Sequence, residues 1–150
     1  MFLSKTSEYA LQLVLSLALQ PRDEFIPIRS LADQTGISYF QLGKVAQRLI
    51  KANILHSYTG PHGGVALSKS PAKISLSDIV SAIDGPVLFD RCVLGLAGCS
   101  EAAPCAIHDH WKSIKESIKD LFNDRTLDEL LDQETRRSIL DSQGPALVEG

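Results

Sequence analysis

Aromatic residues are scarce in this chain: Phe, Tyr and Trp make up 6% of its 150 residues. A core must therefore come from aliphatic side chains, and a hydrophobic fraction of 44% is enough to build one. Long apolar runs are absent as well, and a membrane span needs roughly 18 such residues. Residues 9–19 come nearest, but Gln12 and Ser16 interrupt them. Residues 1–10 have neither the basic start nor the small-residue cleavage site of a secretory signal, so a cytoplasmic chain without membrane contact is expected. The 22% charged fraction speaks against disorder, and the length fits one compact domain or a small domain with an appendage.

Acidic residues are missing from Gln34 to Ser77, where Lys44, Arg48, Lys51, Lys69 and Lys73 stand unopposed. That stretch carries +5 in a chain of net charge −3, so the remainder carries −8. A basic block inside an acidic chain is the electrostatic footprint of a phosphate-binding module. Paired C-x2-C spacing is also missing, which excludes the commonest zinc-finger scaffold. The chain has three cysteines, all between Cys92 and Cys105. An odd cluster in a reducing compartment points to metal or redox chemistry rather than to structural disulfides. No acid–base constellation accompanies it, so neither enzymatic activity nor a small-molecule substrate is expected; an electron carrier or zinc enzyme would leave the basic block unexplained.

Periodicity predicts a mainly α chain. Residues 7–20 form an apolar helix that stops at Pro21, and residues 29–35 a second that ends at Gly36. Ser38 is a good N-cap for a third helix over residues 39–52, whose Leu42, Val45, Ala46, Leu49 and Ile50 make one buried stripe. Strand-like residues 54–58 and 65–67 flank Thr59-Gly60-Pro61-His62-Gly63-Gly64, the composition of a tight exposed hairpin tip. Ser75-Leu76-Ser77-Asp78 has the capping-box pattern and opens a helix through about residue 83. A long amphipathic helix starts near Cys105 or Ile107, with Trp111, Ile114, Ile118, Leu121 and Phe122 on one stripe. Thr126-Leu127-Asp128-Glu129 caps a last short helix. The order is that of a winged helix-turn-helix with a two-stranded wing. It divides into a helix-turn-helix and wing unit (1–73), a cysteine loop with the later helices (74–131), which the resemblance given below makes a sensing and dimerising unit, and a mostly flexible tail (132–150).

A helix lying in the major groove needs short polar groups at its start and long donors along its exposed face. Ser38, Tyr39 and Gln41 supply the first; Lys44, Gln47, Arg48 and Lys51 supply the second. The glycine-rich tip lets backbone approach the sugar–phosphate surface, with His62 placed for the minor groove. The blander alternative is a solvated amphipathic helix beside an ordinary hairpin. The cysteine spacing, Cys92-x6-Cys99-x5-Cys105, wraps three soft thiolates around one point. An iron–sulfur cluster, zinc, a metal-free redox thiol pair and merely buried cysteines all fit it, and a fourth ligand is needed for either metal. His108 is nearest in sequence.

The chain resembles the Rrf-two family of winged-helix transcription regulators, which includes an iron–sulfur cluster assembly regulator and nitric-oxide-sensing repressors. The matching features are Leu3-Ser4-Lys5 with Glu8-Tyr9-Ala10-Leu11, the Gly36-Ile37-Ser38 turn, and the wing Gly60-Pro61-His62-Gly63-Gly64. They continue through Ile79-Val80-Ser81-Ala82-Ile83-Asp84-Gly85, the three cysteines, Trp111 and Thr126-Leu127-Asp128-Glu129-Leu130, covering residues 1–131. The resemblance implies a homodimer joined through the long helix, palindromic double-stranded DNA sites and a redox-sensing cluster that changes DNA affinity. It implies Cys92, Cys99 and Cys105 as ligands. The fourth is His108 as in one branch, or Glu8 reaching across from the partner subunit as in another. His108 leans to [2Fe–2S] over [4Fe–4S], while Glu8 fits either. Two positions depart from the family pattern: the first cysteine gap is six rather than the commoner five, and Thr59 stands where many members place a minor-groove arginine.

Overall fold

Ser4 accepts a hydrogen bond from the Ser7 amide and caps helix α1 (Lys5–Ala18). The computed structural model describes residues 3–85, 90 and 92–142. After α1 come α2 (Ile28–Thr35), α3 (Tyr39–Lys51), strands β1 (Leu55–Tyr58) and β2 (Gly64–Leu67), a single 3-10 turn at Pro71–Lys73, α4 (Leu76–Asp84), α5 (His108–Asp124) and α6 (Gln133–Ser142). This is a mainly α winged helix-turn-helix. Among the described residues no helix is long and apolar enough to cross a membrane.

The core is aliphatic, as the shortage of aromatics requires. Leu13 and Val14 of α1, Leu31 of α2, Leu42 and Leu49 of α3, Ile79 of α4, and Ile74 and Leu127 from the connecting segments have no exposed surface and form one cluster. Each fully buried Leu or Ile of this kind contributes roughly 1.5–3 kcal/mol. The buried stripe of α3 is the 42, 45, 46, 49 series read from the sequence. The capping box of α4 is also present: Ser75 Oγ accepts from the Asp78 amide, and Asp78 Oδ2 accepts from the Ser75 amide, each at 3.0 Å.

β1 and β2 pair antiparallel, with Leu55 opposite Leu67 and Tyr58 opposite Gly64. The wing has a third edge. Ile26 and Val65 exchange both backbone hydrogen bonds at 2.9 Å, so the apolar piece before α2 adds a bridge beside β2. Gly64 permits this approach: a Cβ there would lie 2.3 Å from the Ile26 carbonyl.

The C-terminal part departs from the expected pattern. Thr126 does donate its amide to Glu129 Oε2 at 3.4 Å, but no helix follows. The Leu127 amide donates to the Ile74 carbonyl at 2.9 Å and the Leu76 amide to the Arg125 carbonyl at 3.0 Å. Pairing with the segment ahead of α4 thus holds residues 125–127 extended and buries Leu127. The last helix, α6, starts instead after Asp132, whose Oδ1 accepts from the Thr135 amide at 2.8 Å. It occupies part of the stretch expected to be a flexible tail; residues 143–150 lie outside the described residues.

Gly64→Ala should force residues 26–27 off the wing and destabilise the fold by about 1–3 kcal/mol, an overpacking cost. Urea unfolding of the two proteins measures it.

Candidate nucleic-acid interface and metal centre

Gly36 closes α2 in the left-handed conformation (φ 73°), a position that favours glycine. Ile37 tucks into the core, and Ser38 Oγ accepts from the Gln41 amide at 3.2 Å to start α3. This turn sets α3 across the molecule with one face in the core and the other in solvent. Ser38, Tyr39, Gln41, Lys44, Gln47, Arg48 and Lys51 are all exposed, as is His62 at the wing tip. The structure therefore brings seven of the eight residues singled out for DNA onto α3 and its cap, with His62 on the wing.

Two further side chains belong to this surface. The Arg29 guanidinium from α2 lies 4.7 Å from the centre of the Tyr39 ring, and Lys44 Nζ lies 4.4 Å from that of Phe40. Sequence reasoning passed over Phe40, yet it is an apolar residue off the buried stripe, and that mismatch was readable. On the wing, Phe25 stacks near His56 and Tyr58, at 5.0 and 5.6 Å between ring centres. A shallow open groove there is lined by Asp23, Glu24, Phe25, Tyr58 and His62.

The three cysteines come together. One Sγ each from Cys92, Cys99 and Cys105 lie within 4.8 Å of one another, all half-buried. Short backbone bonds fold the loop: the Gly95 amide donates to the Cys92 carbonyl at 2.9 Å, the Cys99 amide to Leu96 at 3.2 Å, and the His108 amide to Cys105 at 3.1 Å. Backbone hydrogen bonds from Leu96 and then Leu94 hold the Cys92 thiol below its ordinary value. At Cys99 the Cys105 backbone also favours the thiolate, but burial and the two neighbouring sulfurs outweigh it and leave the thiol raised.

His108 opens α5 with its Nδ1 3.3 Å from Cys99 Sγ. Its Nε2 is shielded from solvent without a hydrogen bond, and the nearest carboxylate oxygen, Glu101 Oε1, is 3.5 Å away. Lys112 Nζ holds that same oxygen at 2.7 Å and, with His108, keeps the Glu101 carboxyl below the usual range. Sequence reasoning did not find Glu101 or Lys112; they meet only when the loop folds onto α5. Glu8 pairs with Lys5 at 3.1 Å and does not join the three sulfurs within one chain. Cys92, Cys99 and Cys105 form a sulfur donor set suited to an iron–sulfur cluster or to zinc, and His108 stands beside Cys99.

Comparison with known proteins bears on both surfaces. The family model for Rrf2 (Rrf-two), described as an iron-dependent transcriptional regulator, matches residues 3–133. The chain is 32% identical to the HTH-type transcriptional regulator IscR of Pectobacterium carotovorum subsp. carotovorum (strain PC1), over 95% of this chain and 87% of that one. Among solved structures, Staphylococcus aureus CymR matches at 26% identity and a TM-score of 0.70, covering 86% of this chain and 97% of that chain. IscR of T. potens shares the fold at 23% identity and a TM-score of 0.71, covering 90% and 89%. Its relatives are DNA-binding regulators rather than enzymes. With a fold, a turn and a wing that agree with them, the chain belongs to the Rrf2 family of winged-helix transcription regulators.

Proposed function

We propose that this regulator carries a [2Fe–2S] cluster on Cys92, Cys99, Cys105 and His108, and that the state of the cluster sets its affinity for palindromic double-stranded DNA. The observation that carries the reading is the approach of three cysteine sulfurs to within 4.8 Å, with His108 Nδ1 3.3 Å from one of them. When bound, the cluster supplies an acid-labile, oxidisable and nitrosylatable centre that reports redox state, nitric oxide or iron–sulfur status. The chain's own part is to hold and orient it. Metal-ligating histidines commonly donate their second ring N–H to a carboxylate. Glu101, anchored by Lys112, stands on the Nε2 side and leaves Nδ1 facing the sulfurs.

Residues 1–73 then form the DNA-binding unit and residues 74–131 the sensing and dimerising unit. Helix α5 has no buried residue, and its Ile114 and Leu121 are half exposed. An apolar stripe left open on a helix of 17 residues fits a second copy of the chain. Two copies related by a two-fold axis would set two α3 helices into successive major grooves of a palindrome, with His62 toward the minor groove. The link between the units runs through Asp84. Its Oδ2 accepts from Ser4 Oγ at 2.8 Å and from Ser7 Oγ at 2.6 Å, which fastens the end of α4, just ahead of the cysteine segment, to the start of α1.

Anaerobic purification should yield a coloured protein whose native mass contains two irons and two sulfides per chain and whose absorbance bleaches with oxidant. His108→Ala should lower cluster content or shift the spectrum, while Glu8→Ala should leave both unchanged. The reverse pattern would assign the fourth position to Glu8 of the partner subunit. A colourless protein that forms a Cys92–Cys99 or Cys99–Cys105 disulfide on mild oxidation would replace the cluster with a metal-free thiol switch. A protein holding zinc alone would remove the redox reading.

A further inference from the structure

Phe40 is the most exposed large apolar side chain among the described residues, at 69%. It sits in the first turn of α3, two residues after the Ser38 cap, where a helix entering the major groove presents its side chains to base edges. Every fully buried position of α3 lies on the other stripe, Leu42, Val45, Ala46 and Leu49, so Phe40 adds nothing to the core. Its recorded ring partner is the Lys44 ammonium one turn on, 4.4 Å from the ring centre. That contact pairs the two side chains on the exposed face of α3. A scattered exposed hydrophobic residue needs no explanation by itself. This one is flanked by Gln41, Lys44, Gln47 and Arg48, all exposed, with Lys51 beyond, in a chain segment free of acidic residues. Such a surface attracts phosphates, and an apolar group at its centre has one apolar feature to meet in the major groove of B-DNA: the 5-methyl group of thymine.

We infer that Phe40 is a specificity-determining residue that contacts a thymine methyl group in each half-site. The inference rests on α3 lying in the major groove. Lys44, held over the ring, reaches the neighbouring phosphate or purine edge, so one turn of α3 reads an apolar and a polar feature side by side. Phe40 buries surface only when DNA is bound. Its removal therefore changes base preference without cost to the fold.

The test uses full-length protein and a pool of random-sequence duplexes, from which a binding site is selected. The enriched duplex is then remade with single thymine-to-uracil replacements, which delete the methyl group and nothing else. Each replacement should weaken wild-type binding about fourfold, the value for burying one methyl group, and replacement in both half-sites about fifteenfold. Phe40→Ala should weaken binding to the thymine duplex by a similar factor and be indifferent to the uracil. Circular dichroism and thermal unfolding of Phe40→Ala should match wild type. Arg48→Ala and Lys51→Ala provide the control on the underlying reading: they should weaken thymine and uracil duplexes alike and flatten the salt dependence. If they do so while uracil has no effect at any position, or while Phe40→Ala keeps the uracil sensitivity, the assignment of Phe40 is wrong. If no duplex is enriched, or Arg48→Ala and Lys51→Ala bind as wild type does, α3 is not on the DNA and the inference falls with it.

Discussion

Helix α1 packs against α2, α3, α4, β2 and α6, and its Ala10, Leu13 and Val14 have no exposed surface. An aliphatic helix in that position makes the winged half and the cysteine-bearing half share one core. Neither half can be displaced far without exposing leucine and valine that are now dry, and cavities of that size cost about 2–5 kcal/mol each. Small rotations that keep the core closed are the movements the architecture allows. The same helix carries the polar anchor of the arrangement. Ser7 has no exposed surface, and its hydroxyl donates to Asp84 together with that of Ser4. A charged, half-buried hydrogen bond holds the end of α4 to one register against α1.

Two kinds of segment surround this core, and their composition follows from their tasks. The turn between α2 and α3 and the wing are built from glycines and caps that hold backbone in fixed places. The cysteine segment is a loop with exposed Val93, Leu94 and Leu96, held by a few backbone turns and by His108 at the head of α5. With the proposed cluster bound, such a loop would take its shape from the cluster more than from its own packing. The unequal thiols fit that role: Cys92 is held toward the thiolate by backbone donors, whereas burial and crowding by sulfur resist ionisation at Cys99. A cation placed between them would relieve that repulsion.

Much of this was legible in the sequence because the signals are local. The stripe of α3, the Ser38 cap, the Gly36 stop, the capping box at Ser75 and the glycine-rich wing tip each depend on residues within a turn of one another. What escaped depends on pairing at a distance. The bridge of Ile26 to Val65 adds an edge to the wing, and the pairing of residues 74–76 with 125–127 makes an extended edge of an expected helix. The Thr126 capping pattern is present, yet tertiary hydrogen bonds overrode it. At the site, the spacing of Cys92, Cys99, Cys105 and His108 was readable. The Glu101–Lys112 pair beside His108 required the fold, since no periodicity marks a loop carboxylate for a helix lysine. Phe40 was visible as an apolar residue out of phase with its helix, and only its exposure gives it meaning.

In the proposed function, one chain couples a cysteine-held cluster to a DNA-reading helix. That coupling is tested most directly by measuring, under anaerobic conditions, the affinity of the same preparation for its selected duplex before and after chelation of iron. Cys92→Ala serves as the cluster-free reference. The coupling predicts a change of about tenfold or more, in the range typical of allosteric linkage, with the chelated protein matching Cys92→Ala. Equal affinity in all three states, with the wild type demonstrably loaded at the start, would contradict it.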